Sequence, residues 1–405
     1  MNQYIRIKLS VMMFFQFFIW GAWFVTLGTF LGKNMNSTGG EIGQAFGTQS
    51  WGAIIAPFFI GLIADRYFNA EKILGFLHLA GALLLYQMSV CTDFSSFYPY
   101  VFLYMVSYMP TLALVNAIAF RQMSDPARDF ANVRVFGTFG WVVAGLAISY
   151  LFAWDKPESI NDGALKNTFL LAGGSAALLG MFSFLLPATP PASKGNESVS
   201  IKQLLGFEAL ALLKERNFLV FFVSSILICI PLAFYYQNAN PFLVDSGMTN
   251  PTGKMTIGQI SEMAFMLVLP LFFKKYGFKN TILIGMLAWG IRYILFAFGN
   301  AGSLSWMLLF GIALHGICYD FFFVSGQIYT DSKAGAEYKS AAQGLITLAT
   351  YGVGMLIGFW VSGKITEAYA NDWQMIWLLP AGFSFAIFLL FAVLFRKESI
   401  SYTTS

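Results

Sequence analysis

Apolar runs of about 20 residues, parted by short polar connections, recur from one end of the chain to the other. A helix of that length crosses the ~30 Å hydrocarbon layer of a bilayer, and in lipid only a helix or a closed barrel pairs all its backbone groups. The pattern predicts about twelve spanning helices, near 9–31, 42–64, 72–91, 98–121, 133–153, 167–187, 217–243, 256–274, 280–299, 304–329, 340–363 and 373–395. The first run follows a basic start, as a secretion signal would. It continues to about Leu31 with no small-residue cleavage pattern behind it, so it reads as an uncleaved first span.

The longest polar connection, roughly Pro187 to Arg216, contains TPPASKGNES and parts the sixth run from the seventh. It divides the chain into an N-terminal six-helix bundle (1–187), a cytoplasmic central loop (188–216) and a C-terminal six-helix bundle (217–405). Of the 24 Lys and Arg residues, Lys33, Lys156, Lys166, Lys254 and Lys364 fall on one side, Arg292 falls within a span, and the rest fall on the other side. Basic residues concentrate in cytoplasmic loops, so both termini are expected in the cytoplasm of a multi-pass inner-membrane protein. The 6+6 arrangement predicts an all-α integral membrane protein of the major facilitator fold. Inverted broken helices, the alternative for twelve spans, would need Gly/Pro interruptions at matching positions, and no clear pair is present.

Composition agrees. Residues are 57% hydrophobic and 11% charged, against about 25% charged in a soluble domain. One soluble core could not hide so much apolar surface. The net charge of +4 gives no pointer to nucleic acid. Cys91, Cys229 and Cys318 lie in apolar runs without metal-like spacing and read as reduced packing residues. No HExxH and no nucleophile–base set is present, so no enzyme, metal or cofactor is expected. The partners expected are a small-molecule substrate, protons and the bilayer, with the protein a monomer.

The chemistry sits where the pattern is broken. Glu262 and Asp320 lie inside apolar runs, where an ionised group costs roughly 2.5–3.5 kcal/mol on insertion scales and generally lines a cavity or pathway. Both are candidates for proton coupling. Gln259 and Glu262, three apart in GQISEMAF, share a helical face. In HGICYDFFF, His315 and Tyr319 are four apart, with Asp320 turned by about 100°. Asp320 either carries a proton or pairs with Arg292, the one strong base deep in a span, and His315 is either a ligand or a satisfied interior histidine. His78, without polar neighbours in its run, reads as packing. In RVFGTFGW, Arg134, Thr138 and Trp141 follow an i, i+4, i+7 spacing that suits a solute with hydroxyls and a flat ring. PLAFYYQNANPF adds Tyr236, with Pro231 and Pro241 predicting kinks. GLIADRYFNAEK resembles the inner-loop signature of major facilitators, which implies an inner gate where Gly61 permits close packing and Asp65 and Arg66 pair or cap; a snorkelling basic loop explains the same charges.

RDFANVRVFGTFGW, GQISE, RYILFAFG, HGICYDFFFVSG and AAQGLITL, in this order, resemble the nucleoside:proton symporter family of major facilitators, the nucleoside permease and xanthosine permease type. PLAFYY with HGxxYDF is most similar to its YegT-like branch. The resemblance implies proton-driven uptake of nucleosides by alternating access. It implies that Arg134, Thr138, Trp141, Tyr236, His315 and Tyr319 lie by the substrate, that Gln259 and Glu262 bond ribose hydroxyls, and that Glu262 and Asp320 couple protons. Ala233 and Tyr236 stand where the nucleoside permease presents two amides, which changes the base end of the pocket. A sugar or cell-wall glycoside permease and a passive nucleoside facilitator of the same fold are the alternative readings.

Overall fold

The computed structural model describes residues 2–59, 68–191, 207–370 and 372–398, and these are helical with no strand among them. Gly61, Asp65 and Arg66, the expected inner-gate residues, lie outside the described residues. In chain order the long helices are α1 (Gln3–Asn34), α2 (Gly39–Phe59), α3 (Ala70–Val90), α4 (Phe94–Arg121), α5 (Asp129–Leu151), α6 (Lys166–Ser183), α7 (Arg216–Asp245), α8 (Pro251–Phe298), α9 (Ser305–Gly335), α10 (Ala341–Ala368) and α11 (Trp373–Leu394). Nine of the described helices are long and apolar enough to cross a membrane.

The spans expected at 256–274 and 280–299 are the two halves of α8, which turns at Gly277. Its φ of 74° lies in the left-handed region that side chains disfavour, so a glycine stands where the chain reverses. Lys279 secures this corner by donating to the carbonyls of Ala392 and Phe395 at 2.6 Å each, cationic partners for the open carbonyls ending α11. α7 runs uninterrupted through both Pro231 and Pro241, and the carbonyl of Pro231 accepts from the Tyr293 hydroxyl at 2.5 Å.

The chain forms two compact units. The first comprises Met1–Ser37, Ala45–Ser200 and Thr249–Gly253; the second comprises Thr38–Gln44, Ile201–Met248 and Lys254–Ser405. In the first, α1 packs along α5 and α6, and α3 along α4 and α6. Small residues make the α1–α5 seam: a Cβ on Gly140 would stand 2.2 Å from the Phe14 carbonyl oxygen, and one on Gly21 3.0 Å from the Trp141 ring. In lipid, where apolar burial does not drive helices together, such backbone approach is the principal source of packing contact. In the second unit α7 packs against α10 and α11.

Candidate functional site

In the first unit, Arg134, Thr138 and Trp141 are half-buried on one face of α5, while Val135, Phe136 and Phe139 between them are exposed. The α1–α5 seam explains the face. Gly137 and Gly140 bring the α5 backbone onto α1, so the Arg134 guanidinium lies over the Phe17 ring at 4.1 Å and Trp141 meets Trp20 at 5.5 Å. The three predicted residues share one face, with aromatic rings from α1 beside two of them.

The unit also contains a buried polar network that the sequence reading missed. Gln16 on α1, completely buried, donates to the Thr111 hydroxyl at 2.7 Å and accepts from His78 Nε2 at 2.8 Å. The Thr111 hydroxyl donates to the Tyr108 carbonyl, and the Tyr108 hydroxyl to the Gln16 carbonyl, each at 2.6 Å. His78 is therefore a hydrogen-bonded member of a link between α1, α3 and α4, contrary to its reading as a packing residue without polar neighbours. One signal was available: Gln16 is the lone strongly polar residue in VMMFFQFFIWGAWF.

In the second unit, α8 and α9 meet through another close seam. A Cβ on Gly316 would stand 2.6 Å from the Ser261 carbonyl, and one on Gly258 3.2 Å from His315 Cβ. The Ser261 hydroxyl donates to the Ala313 carbonyl across the same seam. This places His315 between two partners. Its Nε2 lies 3.8 Å from Glu262 Oε2, and its Nδ1 lies 3.2 Å from Arg292 Nη1. Arg292 is completely buried, with its guanidinium 3.4 Å from the centre of the Tyr235 ring, and Tyr235 stacks on His315 at 5.5 Å. Glu262 keeps 22% of its side chain exposed, whereas His315 keeps 4%.

Asp320 is not paired with Arg292. It is completely buried, and neither carboxyl oxygen has a hydrogen-bond partner among the described residues. A buried polar group in that condition is costly. Asp320 opens a π-helical turn, Asp320–Val324, and a second such turn, Leu348–Gly354, interrupts α10. Turns of this kind recur at functional sites because they re-aim side chains within a continuous helix. The hydroxyls of Tyr319 and Tyr351, at the two turns, bond at 2.6 Å. Tyr351 also lines a small cavity of about 30 Å³ with Phe322, Gln327, Gln343 and Thr347. Tyr351 escaped the sequence reading because its stretch, LATYGVG, carries no charge or spacing that sets it apart.

Of the remaining predicted residues, Gln259 is half-buried one turn before Glu262, and Tyr236 is half-buried beside Tyr235, with ring centres 6.0 Å apart. Glu262, His315, Tyr319 and Asp320 thus lie along one seam of the second unit, and Arg292 joins them from the far half of α8. An amide, two carboxylates, an imidazole and phenols can together hydrogen-bond a polyhydroxylated solute and hold protons. Among the described residues no cluster of three or more His, Cys, Asp or Glu could hold a metal ion.

Comparison with known proteins covers nearly the whole chain. The family described as nucleoside H+ symporter matches residues 2–399. The transporter YegT of Escherichia coli (strain K12), whose name assigns it provisionally to nucleosides, is 44% identical over 411 residues, spanning 98% of this chain and 95% of YegT. The xanthosine permease of the same organism is 30% identical over 406 residues, spanning 96% and 95%. The crystal structure of the nucleoside transporter NupG superposes with a TM-score of 0.87 at 28% identity, covering 98% of this chain and 100% of that one.

Proposed function

The chain belongs to the nucleoside H+ symporter family, and on that footing we propose that it imports nucleosides or close analogues by proton-coupled alternating access. The observation that carries the proposal is the pair of membrane-depth carboxylates in the second unit: Asp320, buried without a hydrogen-bond partner among the described residues, and Glu262, which is partly exposed. A carboxyl group that is neither solvated nor paired is far cheaper to keep protonated than ionised, so proton binding and solute binding are coupled where the two share a site.

In this reading, Gln259 and Glu262 bond the sugar hydroxyls, with His315, Tyr319 and Tyr236 beside them. Within the first unit, the residues proposed to contact solute are Arg134, Thr138 and Trp141, a cation, a hydroxyl and a flat ring on one face of α5. Protonation of Glu262 or Asp320 from outside favours solute binding, and deprotonation inside favours release. The protein sits in the inner membrane with both termini cytoplasmic, as the distribution of basic residues supports.

The test is accumulation of radiolabelled nucleoside by proteoliposomes under an imposed pH gradient. The wild type concentrates solute, whereas Glu262→Gln and Asp320→Asn lose gradient-driven accumulation while folding normally. Retention of accumulation by both variants would falsify the assignment of proton coupling to these carboxylates. Uptake that equilibrates without concentrating solute would make the protein a passive facilitator.

A further inference from the structure

Among the described residues the buried guanidinium of Arg292 finds no carboxylate of its own, and what it does find constrains His315. A guanidinium has donors only, so in the 3.2 Å contact with Arg292 Nη1 the His315 Nδ1 must accept. The ring is then neutral, its single proton sits on Nε2, and Nε2 is the nitrogen that faces Glu262 Oε2 at 3.8 Å. The Tyr235 ring covers both partners, 3.4 Å from the guanidinium and 5.5 Å from the imidazole, while the Gly258 and Gly316 seam holds the imidazole against α8.

We infer that Arg292 and His315 form a relay that presents positive charge and an N–H to Glu262, and that this relay sets the pH at which the transporter takes up its proton. The inference rests on the reading above that Glu262 couples protons. His315 is here a positioning residue: it transmits the Arg292 charge to Glu262 through a fixed tautomer.

Among the described residues, the titratable or charged groups facing this trio include Tyr235 and Tyr236 from α7, Tyr293 from α8, and Cys318, Tyr319 and Asp320 from α9. The aromatic hydroxyls and the thiol are neutral over the working pH range. Removing the relay takes that N–H away from Glu262.

Two measurements test this. The chain has two histidines, so uniformly ¹⁵N-histidine-labelled protein gives ring signals from His78 and His315 alone, assigned with His315→Gln. In the wild type the expected His315 signature is a bare Nδ1 and a protonated Nε2 across the pH range in which uptake rises. An Nδ1–H tautomer or a cationic ring overturns the relay, and this readout needs no variant of the relay to fold. The second measurement is the pH profile of nucleoside uptake in proteoliposomes. His315→Phe removes the N–H that faces Glu262 and moves the midpoint away from the wild-type value. His315→Gln can accept from Arg292 and donate to Glu262 through one amide, and it returns the midpoint towards wild type. A wild-type midpoint shared by both variants overturns the relay alone. A wild-type profile that does not respond to pH overturns the proton-coupled reading itself, and the relay with it.

Discussion

Replacing Gly316 by alanine perturbs the α8–α9 seam at one methyl group. The added Cβ would lie 2.6 Å from the carbonyl carbon and oxygen of Ser261 and 2.7 Å from the Glu262 amide nitrogen, whereas ordinary contact begins at 3.4 Å. All three neighbours are backbone atoms, which cannot rotate aside. The helices must therefore part locally by about 0.8 Å, a gap that forfeits a quarter to a half of the dispersion well along the facing atoms. Overpacking of this kind typically costs 1–3 kcal/mol, or about that here. The site suffers as well, because His315 Nδ1 is 3.2 Å from Arg292 Nη1 and a shift of that size breaks a contact limited to about 3.2 Å at best. Thermal unfolding in detergent and gradient-driven uptake read the two consequences separately. Gly382→Ala is the control: its Cβ meets nothing within 4 Å, and a helical Gly→Ala there gains up to about 1 kcal/mol. If Gly316→Ala matches the wild type in both stability and uptake, the seam does not position His315 and the reasoning is wrong.

Gln16→Leu leaves His78 Nε2 without its partner inside the first unit, at a cost of about 1–3 kcal/mol for the orphaned group, while the Thr111 hydroxyl keeps its bond to the Tyr108 carbonyl. Lowered thermal stability with solute affinity unchanged is the expected outcome; a loss of affinity at unchanged stability would instead make the network part of the binding site. Asp93 caps the N-terminus of α4, and the Ser96 backbone N–H, with the Ser96 hydroxyl second, holds its carboxyl below the usual carboxylate range. A depressed carboxyl contributes stability above its unfolded value, near 4, and loses it as pH falls through the folded value. Acid unfolding of Asp93→Asn should therefore show a shallower pH dependence below about pH 4, and an unchanged slope would count against the cap.

Much of the protein was legible before its fold. The long apolar runs and the low charge content dictate an all-α membrane protein, because runs of about 20 residues suit spanning helices and are too long for the strands of a barrel. The depth of Glu262 and Asp320 in those runs marked them, since few side chains are as costly there. The spacings of Arg134, Thr138 and Trp141, and of Gln259 and Glu262, assign them to shared faces through helix geometry alone. The ordered motifs along the chain also pointed to the family that the comparison establishes.

Which helix each face meets was settled only by tertiary structure. A helix that is apolar all round has no wet side to fix its rotation, so its sequence period does not say what its polar residues will face. For that reason Arg292 could be read as the partner of Asp320, yet in the fold it meets His315 and Tyr235 and leaves Asp320 alone. The same limit hid the Gln16–His78–Thr111 link, whose members are 33 or more residues apart, and the Tyr319–Tyr351 bond. The backbone approaches at Gly140 and Gly316 fix the rotations of α5 and α9, and with them the surroundings of Arg134, Trp141 and His315.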